Sequence, residues 1–174
     1  MELTLQDIKR FMLLEKHAGS EELVNEELVL NLSYPVKREV ILFSPAGDVE
    51  FRWIITQSGK FSFKLTLHIM ERENHTGLFR LDYCPDTKVH VNPVVVNDGV
   101  PSEVSCFAGA DIRGNHAHFS YPGYNELAWA VPLKDLPVFP VGFDGKQSSI
   151  EQIILTFAKH VNIVTNIICE LPVL

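Results

Sequence analysis

The sequence is short of cysteine: Cys84, Cys106 and Cys169 are its three, and no two share a short spacing. An odd set of this kind argues for reduced thiols and against a disulfide frame. No apolar run approaches the roughly 18 residues of a membrane span. The N-terminus lacks the basic-then-apolar layout of a signal peptide. The expectation is a cytoplasmic protein with no membrane partner. Positive charge is also scarce, with 15 Lys and Arg against 22 Asp and Glu and a net charge of −7. An acidic field is not drawn to nucleic acid, so RNA or DNA contact needs a local basic patch. The basic residues form no such cluster. There is no glycine-rich phosphate loop and no G-x-S-x-G nucleophile motif, and no internal repeat appears. Cys106, in "EVSCFAGA", reads better as a half-buried inert thiol than as a nucleophile.

What is present is ordinary globular material: 174 residues, 46% hydrophobic and 21% charged, enough for one domain with a real core. Thr4 with Asp7 reads as a capping-box variant, and Leu5, Ile8, Phe11, Met12 and Leu14 form the apolar stripe of an N-terminal helix stopped by Gly19. Alternation then predicts strands. Leu28, Leu30 and Leu32 lead to Tyr34-Pro35, and Arg38 to Ser44 ends at the turn Pro45–Asp48. Val49, Phe51, Trp53 and Ile55 line one face of the next strand. Phe61, Phe63, Leu65, Leu67 and Ile69 point one way in the strand after that, opposite Ser62, Lys64, Thr66 and His68. Then comes "LFRLDYC", with Phe79, Leu81 and Tyr83 inward and Arg80, Asp82 and Cys84 outward.

Residues 85–114 carry three prolines and no sustained period, which predicts a long functional loop. A strand over 116–121 follows, pairing with Leu127–Val131, and then an irregular stretch to Gly145. Ser148 with Glu151 reads as a capping box for a closing helix with Ile150, Ile153, Ile154, Phe157 and Val161 on its apolar side. The fold class is α+β: a curved, mostly antiparallel meander with an N-terminal and a C-terminal helix. Residues 1–77 hold the first helix and β-meander, and 78–174 the later strands and closing helix.

The chemistry centres on "GNHAHFSYPGY". Period two puts His116 and His118 on one face of a strand, about 7 Å apart at Cβ, with Ala117, Phe119 and Tyr121 on the core side. Three readings fit the pair. It can act as general acid and base. It can supply two ligands to a metal, although no spacing singles out a third among His90, Asp82, Asp86, Asp111 and Glu126. Or both rings can simply be polar residues on a wet face. Arg80 and Arg113 are placed to hold an anion, and Tyr121 and Tyr124 to offer hydroxyls or stack. Against this, Arg80 and Asp82 also read as a plain ion pair, and Tyr124 after Pro-Gly as a turn-capping aromatic. His17, His68, His75 and His160 read as surface or helix-end residues without a role.

Five short pieces occur in order: "LFRLD" (78–82), "HVNP" (90–93), "GNHAHF" (114–119), "PGY" (122–124) and "WAVPL" (129–133). Over residues 78–165 this series resembles a bacterial and prophage family of unknown function, while the first 75 residues add nothing to the resemblance. The order of a strand, a G-x-H-x-H segment and a final helix is similar to small toxins of toxin–antitoxin modules, several of them held to be ribonucleases. That resemblance implies a metal-independent ribonuclease or phosphodiesterase without cofactor. Arg80, His90, His116 and His118 are the positions it carries over as catalytic, with Tyr121 or Tyr124 as accessory, and Arg113 beside the pair is expected to hold substrate with them. The competing expectations are a non-catalytic factor, antitoxin-like or acting in phage defence or counter-defence, and a metal-dependent enzyme on the H-x-H. The partners expected are an RNA substrate or a protein, a second copy of the chain included. The acidic surface and the aromatic-rich loops with Tyr124, Trp129, Phe139 and Phe143 fit a protein partner.

Overall fold

The computed structural model describes residues 3–170. The N-terminal helix α1 (Leu5–Leu13) starts as the sequence predicts: the Asp7 amide donates to Thr4 Oγ1 at 3.2 Å and the Thr4 amide to Asp7 Oδ2 at 3.0 Å. It buries Ile8 and Phe11. After it come β1 (His17–Ala18), β2 (Leu23–Val24), β3 (Glu27–Asn31), β4 (Lys37–Phe43), β5 (Glu50–Gln57), β6 (Leu65–Glu71) and β7 (Thr76–Tyr83). Then follow β8 (Val89–Val91), α2 (Ser102–Ser105), β9 (Asp111–Arg113), β10 (His116–Phe119), β11 (Trp129–Pro132), α3 (Gln147–His160) and β12 (Ile167–Glu170).

Seven strands form one antiparallel sheet in the order β1-β4-β5-β6-β7-β10-β11. The fold is α+β, as expected. One sheet face carries Phe51, Trp53, Ile55, Leu65, Leu67, Ile69, Phe79 and Leu81, all buried in the main core. Helix α3 covers that face with Ile150, Ile153, Ile154 and Phe157, and Phe157 stacks on Trp53 with ring centroids 6.1 Å apart. Among the described residues no helix is long and apolar enough to cross a membrane.

Several sequence expectations change. The Leu28–Leu30–Leu32 segment leaves the meander: β3 joins a separate three-stranded sheet, antiparallel to β2 and parallel to β12. Phe61 and Phe63 are exposed, because a turn closed by the Lys64 amide on the Phe61 carbonyl delays β6 to Leu65. The Ser148–Glu151 capping box does not form. Helix α3 begins one residue before Ser148, with Lys146 at the N-cap position and no side-chain cap; Asp144 braces the entry, its Oδ1 accepting from Ser149 Oγ at 2.7 Å and the Lys146 amide at 3.0 Å. Residues 85–114 hold the β8–β9 ribbon and the short α2. Strand β10 ends at Phe119, two residues before Tyr121. Cys106 is exposed rather than half-buried.

Lys16 ties the two ends of the chain together. It is fully buried, and its Nζ donates to the carbonyls of Phe11 (2.7 Å), Leu14 (2.8 Å) and Val161 (2.7 Å), with Met12 at 3.4 Å. These carbonyls are orphans at the ends of α1 and α3, where a cation is favoured. Lys16→Met is expected to cost about 2–4 kcal/mol in urea denaturation, since several buried acceptors lose their donor.

Candidate functional site

The face of the sheet opposite the core is polar at its β6–β7–β10 centre, and strand register determines which side chains meet there. His116 lies opposite Asp82 and His118 opposite Arg80 in the β10–β7 pairing. Across β7–β6, Asp82 lies opposite Thr66 and Arg80 opposite His68. Side chains directly opposite one another in an antiparallel pair share a face. Two rows result: Thr66–Asp82–His116 and His68–Arg80–His118.

The two imidazoles do not stand in water. His116 is 3% exposed, His118 2% and Asp82 5%. Neither ring is open to solvent. A carbonyl oxygen faces each Nδ1 at hydrogen-bond distance, Gly114 O at 2.6 Å from His116 and Leu127 O at 2.9 Å from His118; the Cys84 Sγ, 4.0 Å from His116 Nδ1, donates to Gly114 O instead. A carbonyl can only accept, so each Nδ1 carries a proton; Arg80 Nη2, which can only donate, faces His118 Nε2 at 2.8 Å, and burial keeps His116 neutral, so each Nε2 presents a lone pair. Both carbonyls come from left-handed backbone, Gly114 at φ 69° and Leu127 at φ 53°. For leucine that conformation costs of order 1–3 kcal/mol and needs outside support. Ser120 supplies it: its Oγ accepts from the Leu127 amide at 2.9 Å and donates to the Gly77 carbonyl.

With the rings so oriented, three electron-rich atoms converge. His116 Nε2 and His118 Nε2 are 2.8 Å apart, and Asp82 Oδ2 lies 3.8 Å from the first and 3.2 Å from the second. Arg80 closes the group from the solvent side with its side chain 31% exposed. Its Nη2 donates to His118 Nε2 at 2.8 Å and lies 2.9 Å from Asp82 Oδ2, to which its Nε donates at 3.0 Å. Thr66 Oγ1 donates to Asp82 Oδ1 at 2.8 Å. Burial works against a charged Asp82, but the donors Arg80 and Thr66 outweigh it and hold the carboxyl below the usual range. Burial drives His116 down to about 4 against the opposing pull of the Gly114 carbonyl, so that ring is neutral near pH 7.

The other sequence candidates fall into two groups. His90 does join the cluster: its ring meets His118 edge-on with centroids 4.6 Å apart, held by its Nε2 donating to Ala128 O at 2.8 Å. Arg113 does not. It lies opposite Val89 in the β8–β9 ribbon, on the face away from His90, and is exposed beside Asp111 at 3.5 Å. Tyr124 works as a turn cap, its hydroxyl donating to Val95 O at 2.8 Å and accepting from the Asn97 amide at 2.8 Å. Tyr121 packs beside Trp129 and Val131 in a second small core.

Asp82 and His68 are the residues the sequence undervalued. Both lie on the same alternating face as Arg80, and the signal was the period-two spacing Arg80-x-Asp82 facing the H-x-H. His160 is also half-buried, its ring against Phe79 and Phe139.

This chain belongs to a family of unknown function, DUF6978, which matches residues 3–163. The match takes in the N-terminal 75 residues that the motif series left out. No curated protein and no solved structure matches the chain.

His68 gives a direct check on this face. Its Nε2 is buried without a hydrogen-bond partner among the described residues, and burial, reinforced by Arg80, lowers its ionisation to about 4. Between about pH 6.5 and 4 the unfolded chain therefore takes up a proton that the folded protein refuses, so stability falls as pH falls through that window. His68→Leu is expected to be neutral or up to about 1 kcal/mol more stable at pH 7. Its loss of stability from pH 6.5 to 4, followed by urea denaturation, should be shallower than that of the unmodified protein.

Proposed function

We propose that the protein is a metalloprotein that binds a divalent first-row transition ion through His116 Nε2, His118 Nε2 and Asp82 Oδ2. One observation carries this reading: two Nε2 atoms stand 2.8 Å apart while each ring keeps its proton on Nδ1. Two lone pairs aimed at each other repel unless a cation lies between them. The carboxylate oxygen completes a triangle with edges of 2.8, 3.2 and 3.8 Å. Ligands about 2.1 Å from an ion stand about 3.0 Å apart in an octahedral shell and about 3.4 Å in a tetrahedral one. The three atoms need shifts of only tenths of an ångström to meet either geometry.

The donors and their supports suit such an ion. Two neutral imidazoles and a carboxylate are the ligands of zinc and iron(II) centres. Each imidazole donates its other N–H to a backbone carbonyl, and Thr66 fixes the free carboxylate oxygen, the outer contacts that orient metal ligands. Three protein ligands leave coordination positions for a bound water or substrate, the layout of a site that reacts rather than one that only braces the fold.

The ribonuclease reading draws less support from the same residues. It asks for two imidazole nitrogens free to exchange protons with a phosphodiester, whereas both Nδ1 atoms are held by carbonyls and the two Nε2 atoms face each other at 2.8 Å. Arg113, Tyr121 and Tyr124, its substrate-holding residues, are engaged elsewhere.

The test is metal content and affinity in protein produced without a histidine tag and stripped by a chelator. Cobalt(II), titrated in and followed by visible absorption, should bind one ion per chain. His118→Ala should weaken it by at least about 100-fold, since even outer partners of metal ligands are worth about 10–100-fold. No binding by the unmodified protein, or equal binding by the variant, would overturn the assignment.

A further inference from the structure

Arg80 occupies a position that the proposed ion would claim. Its Nη2 sits 2.8 Å from one ligand atom and 2.9 Å from another. The guanidinium and the ion cannot share that place, and two adjacent cations would repel. Arg80 can yield toward solvent, because its side chain is 31% exposed while that of Asp82 beneath it is 7% exposed.

Charge says what the metal-loaded site then needs. Asp82 and Arg80 cancel, and an imidazole that ligates a metal is neutral. A divalent ion raises the group to a net charge of about +2 in a place nearly closed to water, where uncompensated charge is costly. Asp82 is the only acid in the described cluster of ligand atoms. The remaining negative charge has to come from outside the chain.

We propose that the metal-loaded site takes a small oxyanion, a carboxylate or phosphate group, as the ion's further ligand, and that Arg80 swings from Asp82 and His118 to hold it. This inference rests on the metal reading above and adds the class of ligand and the role of Arg80. A planar guanidinium presents two parallel N–H donors that match two oxygens of a carboxylate or phosphate. The same side chain therefore guards the ligand atoms in the metal-free protein and clamps the anion in the loaded one. Arg80 acts as a ligand-selecting residue beside the ion, and the two states exclude each other.

The experiment compares metal-free and cobalt(II)-loaded protein, each titrated with inorganic phosphate and, separately, with sodium acetate. The cobalt visible band and calorimetry are the readouts, and the tighter of the two anions identifies the headgroup chemistry. At least one anion should bind the loaded protein about tenfold or more tightly than the metal-free protein, a factor worth about 1.4 kcal/mol.

Arg80→Gln should weaken that anion by about tenfold, the scale of a lost charge-assisted contact. In anion-free buffer it should bind cobalt(II) more tightly than the unmodified protein, because the competing cation is gone. Equal anion affinity with and without metal in the unmodified protein, which needs no variant to fold, overturns the anion site. So does equal anion affinity in loaded Arg80→Gln and the unmodified protein, or a fall in cobalt(II) affinity in the variant. Each of these leaves the metal reading standing. Failure of the unmodified protein to bind cobalt(II) at all removes both.

Discussion

The pairing of β10 against β7 in a single register is the constraint on which the site depends. With His116 opposite Asp82 and His118 opposite Arg80, four polar side chains are brought to one face beside the threonine and histidine of β6. Slipping β10 by one residue would turn Ala117 and Phe119 into that space and drive both imidazoles into the aromatic core around Phe79, because side chains alternate with period two. The apolar partners on the other face enforce the register. Ala117 is buried in the main core, and Phe119 meets Phe79 with centroids 5.2 Å apart. Core packing on one side of the sheet thus sets the chemistry on the other.

The approaches to β10 and to β11 are set with unusual backbone. Gly114 leads into it with a left-handed turn, and a Cβ at that position would run into the Asp86 carboxylate. Leu127, in the same left-handed region, leads toward β11. These two positions deliver the carbonyls that receive the imidazole N–H groups. Gly77 is needed for a different reason: a Cβ there would come within 2.9 Å of Leu127 Cδ1 and 3.0 Å of His68 Nε2. The chain accepts strain and a small residue in a central strand so that two rings face one way.

Much of this was legible in the alternation of residues. The common face of His116 and His118, the outward direction of Arg80 and Asp82, the helix start at Thr4 and the α+β class all follow from local periodicity and capping chemistry. What escaped was set by contacts distant in sequence. Arg80 and the β8–β9 ribbon bring cover that period two cannot foresee, so the face expected to be wet is nearly dry. Asp82 read as a plain partner of Arg80 until β7 was placed beside β10. The Leu28–Leu32 alternation announced a strand but not its parallel partner some 140 residues away. Ser148 does not cap α3, because the helix starts at Gln147 and the loop before it, braced by Asp144, decides where it starts.

The arrangement is also hard to account for as scaffolding alone. An Asp82–Arg80 ion pair would be complete with those two residues and Thr66. Buried polar groups without such a partner are costly, and apolar residues of similar volume often stabilise a fold as well or better. Yet two desolvated imidazoles stand against this pair, with His90 beside them and two carbonyls, one from left-handed Leu127, holding their Nδ1 protons. The carbonyls hold the Nε2 lone pairs toward the carboxylate, which is the direction that costs most in an empty cluster and least around a cation. A left-handed leucine held in place to aim lone pairs at a carboxylate is the combination on which the proposed metal site rests.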